Sequence, residues 1–363
     1  MHFRTSFMFR FLLCLLGVFL ALPLLALIVS AFVLPITVSG IGYVLGCSLV
    51  SAGLLMAPRR EKSSFLITLT GVIAIALVAG PRLVLTRWDE NSNLRVVTLP
   101  QGKETRWMNT LIDEQDTLIF GEAIFHRIGG VSPREHEQIA DALHTAYSEM
   151  RGTQGIFPAP IISTYLNLQQ PDAFDTVIIK PEIMRHPEVA VIFLHGYMGN
   201  VTAQCWEIAQ AVGKFGAITI CPSTDWTGQW WQPDGEKTLQ ATFRYLREQG
   251  IQKFYLGGFS NGGFGISRLA TKLRNEDGLV GLFFINGIAN GADIKETGLP
   301  ILIIQGARDE RVPAREVSQI ATVIGDLGTY VEVDGDHFMI MKQPELVQNA
   351  MTDWLERLIG KAK

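Results

Sequence analysis

Forty-eight consecutive residues, Phe11 to Pro58, carry no charged side chain, and this constrains the chain's fold more than any other feature. About 20 residues cross a hydrocarbon core, so the run is too long for one crossing. It breaks naturally between Pro35 and Gly40, giving expected spans at about 11–34 and 38–57. A further uncharged run of 19 residues, Ser63 to Pro81, gives a third at 63–81. In lipid only a helix satisfies all of its own backbone hydrogen bonds, so three transmembrane helices are expected. A cleavable signal peptide would share Arg4, Arg10 and an apolar stretch, but its core runs only about 7–15 residues. Gly42 and Gly46 form a small-xxx-small pair suited to close helix packing.

Basic residues flank these runs unevenly. Arg4 and Arg10 precede the first, and Arg59, Arg60 and Lys62 separate the second from the third. The positive-inside tendency puts both groups in the cytoplasm and everything beyond residue 81 on the extracytoplasmic side of a multi-pass membrane protein. Arg82 and Arg87 pull the other way.

Five of the 31 Lys and Arg and one of the 35 acidic residues fall in the first 81 positions. The remaining 282 residues therefore hold 26 bases against 34 acids, a net of −8. That balance excludes a nucleic-acid partner, which needs a basic face. Of the four cysteines, Cys14 and Cys47 fall within spans. Cys205 and Cys221 can be a disulfide or two buried thiols. No Cys/His cluster has metal-ligand spacing, and neither a metal nor a cofactor is expected.

Residues 82–173 are expected to form a helical preface or partial cover. Leu94 to Leu99 can be a strand. A helix over 133–150 is well marked: Ser132 is a natural N-cap, Pro133 suits the first helical position, and Glu135 completes a capping box. From 174 to 363 short apolar runs alternate with helical patterns. The runs are Asp175–Ile179, Val189–Leu194, Ala217–Ile220, Lys253–Gly258, Val280–Ile285, Ile301–Gln305 and Thr329–Val333. Helix-like stretches fall near 201–214, 236–249, 261–274, 314–326 and 343–359. This is the pattern of an α/β domain with a mostly parallel sheet covered on both faces. Functional residues in such sheets gather at the carboxyl ends of the strands.

The sharpest chemical signal is Gly258-Phe259-Ser260-Asn261-Gly262, a G-x-S-x-G between an apolar strand and a helix. In that context the serine sits on a strained turn with its hydroxyl above the sheet, and glycines remove collisions two residues to either side. A serine hydroxyl needs a base, and the base needs an orienting partner. His337, after the last expected strand and before the final helix, is the candidate base. Asp309, after the strand Ile301–Gln305, is the candidate acid; Glu310 beside it and Asp334 and Asp336 beside His337 are the alternatives, and Arg308 or Arg311 can instead hold Asp309 in a surface pair.

The order Ser260, Asp309, His337 is that of α/β-hydrolases. Residues 174–360, with their G-F-S-N-G-G turn and Q-G-x-x-D segment, resemble α/β-hydrolases of the small esterase, dienelactone-hydrolase or carboxylesterase kind. The resemblance implies an α/β-hydrolase fold and two oxyanion donors. One is the backbone N–H of Asn261. The other lies in the His195-Gly196-Tyr197-Met198 loop, similar to the family's H-G-x loop, where the N–H of Tyr197 is preferred and that of Met198 comes second. His195 is read as a brace for that loop. Met198, with Trp226 and Trp230 of the loop Ser223–Trp231, is a candidate substrate contact; that loop can equally be simple packing. Ile285 and Ile301 are only 16 positions apart, which leaves no room for a large inserted cap.

The expected activity is that of a membrane-anchored serine hydrolase cleaving a small or lipid-like ester or thioester. A peptidase is a second reading, since the turn also resembles those of prolyl-oligopeptidases. An acyltransferase or a non-catalytic membrane-bound binding module would use the same segments.

Overall fold

A computed structural model describes residues 8–9, 11–21, 36–57, 60–88 and 92–359. The helices and strands run, in chain order, α1 (Phe11–Ala21), α2 (Val38–Met56), α3 (Glu61–Trp88), β1 (Leu94–Leu99), β2 (Lys103–Glu104), α4 (Glu114–Arg127), α5 (Pro133–Gln154), α6 (Ile161–Tyr165), β3 (Phe174–Ile179), β4 (Val189–Leu194), α7 (Thr202–Gly213), β5 (Ile218–Pro222), α8 (Pro233–Glu248), β6 (Lys253–Phe259), α9 (Asn261–Leu273), β7 (Leu279–Ile285), α10 (Gly291–Lys295), β8 (Ile301–Gly306), α11 (Ala314–Ile324), β9 (Gly328–Val333), α12 (Met339–Lys342) and α13 (Pro344–Ile359). They divide into two compact units, residues 1–90 with 110–145, and residues 91–109 with 146–363.

In the first unit two helices, α2 and α3, are long and apolar enough to cross a membrane among the described residues. Among the described residues the expected count of three spans is thus not reached. The described part of the first expected span is α1, too short to cross, and residues 22–34 lie outside the described residues, as do Arg4, Arg10 and Arg59. The third span is longer than expected, because α3 runs through Pro81 to Trp88. Small residues let α2 and α3 approach closely. A Cβ on Gly46 would stand 2.6 Å from Ile75 Cγ1, and one on Gly71 would stand 2.7 Å from Gly46 O. Ser64 Oγ donates to Gly53 O at 2.7 Å. Helix α4 opens on an Asp113 cap. Asp116 accepts from the backbone N–H and the hydroxyl of Thr37, which caps α2. Asp113 also pairs with the buried Arg82 at 3.1 Å. Both bonds of the Ser132–Glu135 capping box form at the start of α5.

The second unit is built on a nine-stranded sheet in the order β2-β1-β3-β5-β4-β6-β7-β8-β9. The last six are parallel; β2, β1 and β3 extend one edge in antiparallel fashion. Strands β4 and β8 are buried at every position, as continuous apolar runs with helices on both faces require. Within residues 82–173, Leu94–Leu99 is a strand, as its sequence allowed. Leu94–Leu99 pairs along its whole length with β3, so the sheet begins well before residue 174. The reason is local: LRVVTL is a β-branched run whose mate lies some 80 residues downstream, and nothing near it in sequence announces that mate. Asp175 on β3, fully buried, pairs with Arg106 at 2.7 Å and accepts from Thr98 and Asn109. This polar cluster ties the added edge down.

Candidate active site

Register brings the carboxyl ends of the parallel strands together. Leu194 at the end of β4 sits opposite Gly258 near the end of β6, Phe259 opposite Ile285 of β7, Ile285 opposite Ile304 of β8, and Gly306 opposite Val333 of β9. Whatever follows those residues shares one edge of the sheet.

Ser260 follows β6 with φ +50° and ψ −117°, a left-handed conformation that side chains with a Cβ adopt at a cost of order 1–3 kcal/mol. Two glycines make the turn feasible. A Cβ on Gly258 would stand 2.4 Å from the carbonyl carbon of Gly262. A Cβ on Gly262 would stand 2.1 Å from Leu194 O, so this second glycine is required by the neighbouring strand rather than by the turn itself. The backbone N–H of Ser260 donates to Ile285 O at 3.0 Å.

His337 Nε2 lies 3.0 Å from Ser260 Oγ, and its Nδ1 lies 2.8 Å from Asp309 Oδ2. A carboxylate only accepts, so Nδ1 carries the proton and Nε2 receives the serine's O–H. His337 and Asp309 are both buried, and the serine is half-buried. Asp309 Oδ1 accepts the backbone N–H groups of Arg311 and Val312, each at 2.9 Å. The alternatives are engaged elsewhere. Arg308 pairs with Asp334, Asp336 pairs with Lys342, and Glu310 is exposed. The imidazole is held between Phe259 and Phe338, with ring centroids 5.1 and 5.5 Å away.

The loop after β4 runs directly beside the serine: a Cβ on Gly196 would stand 3.0 Å from Ser260 Cβ. Met198 and Gly199 both take positive φ, +82° and +88°. Asn261 opens α9, where first-turn N–H groups lack intrahelical partners, and Tyr197 follows the glycine beside the serine. Asn261 also donates from its side chain to Thr227 O at 2.7 Å, strapping the Trp loop to the turn. His195 is a brace in geometry as well as in sequence. Its Nδ1–H donates to Gly196 O at 2.8 Å, and its Nε2 accepts from Thr224 N–H at 3.1 Å. Burial drives its pKa down to about 4, against the smaller opposing pull of the Gly196 carbonyl and the Asp225 charge.

The two tryptophans separate. Trp226 is 41% exposed and meets the ring of Tyr197, itself 40% exposed, edge to face at 4.9 Å. Met198, the residue after Tyr197, is half-buried. Trp230 is not brought to this rim. It is fully buried, its indole N–H donates to His195 O at 2.9 Å, and its Cβ fills the space above Gly265. An indole with a satisfied N–H is an ordinary core residue. Cys205 and Cys221 are joined as a disulfide between α7 and β5. Three residues that sequence reasoning missed also shape the site. Thr224 fixes the His195 tautomer, Asn200 donates to Cys221 O and Ser223 Oγ, and Asn286 donates to the carbonyls of Asp336 and His337. A lone Asn after a strand carries no distinguishing signal.

Residues 240–340 match the model of the Alpha/beta hydrolase family, a span that contains Ser260, Asp309 and His337. Together with the parallel sheet and its order, that decides the architecture. The chain carries an α/β-hydrolase fold. No curated protein matches it by sequence. Among solved structures it is similar to XC6422 from Xanthomonas campestris, described as an a/b serine hydrolase without lid. The identity is 21%, over 52% of this chain and 91% of that one, with a TM-score of 0.45. It is also similar to Est1E from Butyrivibrio proteoclasticus at 15% identity, over 52% and 95% of the two chains, with a TM-score of 0.44. A thermophilic esterase from Thermogutta terrifontis gives 17% identity, 52% and 95%, with a TM-score of 0.41. Within the α/β-hydrolase fold, the carboxyl edge of the sheet is where ligands are met, and that edge holds the Ser260 cluster.

Proposed function

We propose that this chain is a membrane-anchored serine hydrolase that cleaves a carboxylic ester or thioester, with Ser260 as nucleophile, His337 as general base and acid, and Asp309 as its orienting carboxylate. One observation carries the reading: the unbroken chain from Asp309 Oδ2 through both nitrogens of His337 to Ser260 Oγ, at 2.8 and 3.0 Å, on a serine with positive φ.

In the proposed mechanism Ser260 Oγ attacks the substrate carbonyl carbon while His337 Nε2 takes its proton. Negative charge develops on the carbonyl oxygen, where the N–H groups of Asn261 and Tyr197 receive it; one such donor contributes roughly 3–4 kcal/mol. Asp309 stabilises the imidazolium without taking its proton. The C–O or C–S bond to the leaving group then breaks, and the leaving group departs with the proton from Nε2. Water, deprotonated by the same nitrogen, attacks the acyl carbonyl; the bond to Ser260 Oγ then breaks, Nε2 returns the proton to Oγ, and the carboxylic acid leaves. No metal or cofactor takes part in these steps.

The Tyr197–Trp226 pair and Met198 border the approach to the serine and favour an apolar acyl or alcohol group, such as a small or lipid-like ester. The apolar helices α2 and α3 support attachment to a membrane. The Cys205–Cys221 disulfide supports an oxidising, extracytoplasmic setting for the hydrolase unit.

A fluorophosphonate probe tests the reading on detergent-solubilised full-length protein. Labelling of the wild type but not of Ser260→Ala is expected, with p-nitrophenyl ester turnover falling by several orders of magnitude in the variant. A wild type that resists the probe, or a Ser260→Ala variant that turns over normally, would overturn it.

A further inference from the structure

Strand β7 separates the nucleophile strand β6 from the acid strand β8, and the histidine follows β9 at the sheet's edge. The imidazole must therefore reach back across the ends of two strands to meet Ser260. The group that fills this crossing is the side chain of Asn286, the residue after β7, which is completely buried.

Three of its polar atoms are engaged, two on the acid strand and one on the histidine loop. Its Oδ1 accepts the N–H of Gly306, the last residue of the acid strand, at 2.8 Å. Its Nδ2 donates to the backbone carbonyls of Asp336 and His337, at 2.9 and 3.0 Å. Its own backbone N–H donates to Ile304 O at 3.1 Å. Asn286 takes φ +46°, a conformation that Asn tolerates better than other side chains with a Cβ. The next residue, Gly287, presses on the nucleophile: a Cβ there would stand 2.3 Å from Ser260 O. One buried amide thus joins the end of the acid strand to the histidine loop, while the turn it belongs to abuts the serine.

We infer that Asn286 is a positioning residue, whose carboxamide sets the distance between His337 Nε2 and Ser260 Oγ by holding the carbonyl of His337 itself. The inference rests on the Ser260–His337–Asp309 reading above. Asp309 holds the ring at Nδ1 and the rings of Phe259 and Phe338 flank it, but none of these contacts holds the carbonyls of Asp336 and His337. The Asn286 bonds hold both. A near-attack geometry is sensitive to shifts of about 1 Å, so loss of the amide should reduce the chemical step and leave substrate binding intact.

The test compares Asn286→Asp and Asn286→Ala with the wild type, using p-nitrophenyl ester turnover normalised to the number of serines that react with a fluorophosphonate at completion. Asn286→Asp keeps shape and the acceptor for Gly306 N–H but replaces the double donor with an oxygen facing two carbonyls. Both variants should lose 30-fold or more in kcat per titrated site, with KM changed less than threefold and the fluorophosphonate reaction slowed in parallel. Variants that melt earlier yet keep kcat per titrated site within threefold, or that do not fold at all, would overturn the inference and leave Asn286 a purely structural group. A wild type that does not react with the probe would instead remove the hydrolase reading on which the inference stands.

Discussion

Asp309 and His337 meet at 2.8 Å although 28 residues separate them, and the carboxylate's second oxygen is already occupied by two backbone N–H groups. The acid is thus held by bonds that do not depend on the imidazole. An Asn at 309 would keep the two backbone bonds through its oxygen but present an amide N–H towards Nδ1. The ring would then take the opposite tautomer, with Nε2 protonated and unable to receive the serine proton. Asp309→Asn is expected to lower kcat about 10⁴-fold with little change in KM, measured on a p-nitrophenyl ester. A loss below tenfold would remove Asp309 from the proposed mechanism.

Gly262 is the tightest contact between the nucleophile turn and the loop after β4. Its absent side chain lets Leu194 O approach to 2.1 Å of where a Cβ would stand, and both partners are backbone. Gly262→Ala must therefore push the serine turn and the proposed oxyanion loop apart. A loss of at least 100-fold in kcat/KM is expected, comparable to removing one oxyanion donor. Gly213, at the end of α7 with nothing within 4 Å of its would-be Cβ, is the control. Gly213→Ala should leave activity unchanged and stability equal or slightly higher.

The Cys205–Cys221 bond closes a short loop, the two positions being 16 apart. Loop-closure entropy for that length corresponds to about 3 kcal/mol. The same Cys221 carbonyl accepts from Asn200, at the end of the loop bearing Tyr197. Reduction, or replacement of both cysteines by serine, should lower unfolding free energy by about that amount in denaturant titrations. Identical midpoints with and without reductant would show that the bond contributes nothing.

How far the sequence anticipated this arrangement depended on how local each signal was. The strands from Val189 to Gly306 are short, largely apolar runs bounded by turn residues, the edge strand β9 is more polar, and the observed limits of all of them lie within two residues of those read from the pattern. Ser260, Asp309 and His337 were legible because each follows one of these strands. The β1–β3 pairing was not, since an antiparallel mate some 80 residues away leaves no periodic trace. Trp230 read as a rim residue because it stands among polar neighbours, yet its burial follows from a hydrogen bond to His195 O that no spacing rule foretells. Asn286 was invisible for the same reason: its importance comes from the acid strand and the histidine loop, which meet it only in the folded chain.

His195 provides a pH signature for the loop it braces. Both ring nitrogens are committed in the neutral form, one donating to Gly196 O and one accepting from Thr224 N–H. A protonated ring would point an N–H at the Thr224 N–H. Burial accordingly lowers its pKa to about 4 in the folded state, against about 6.5 in an unfolded chain. Between those values the unfolded chain binds a proton that the folded one refuses, so stability falls as pH falls. Above about pH 6.5 the group is neutral in both states and its contribution is constant. The loss from pH 6.5 to 4 is on the order of 3 kcal/mol. His195→Gln, which keeps a donor and an acceptor but does not titrate, should flatten the dependence of unfolding free energy on pH across that window, at some cost in stability at pH 7. Equal slopes for the two proteins between pH 4 and 6.5 would show that the ring already titrates normally in the fold and that the Thr224 bond does not hold it neutral.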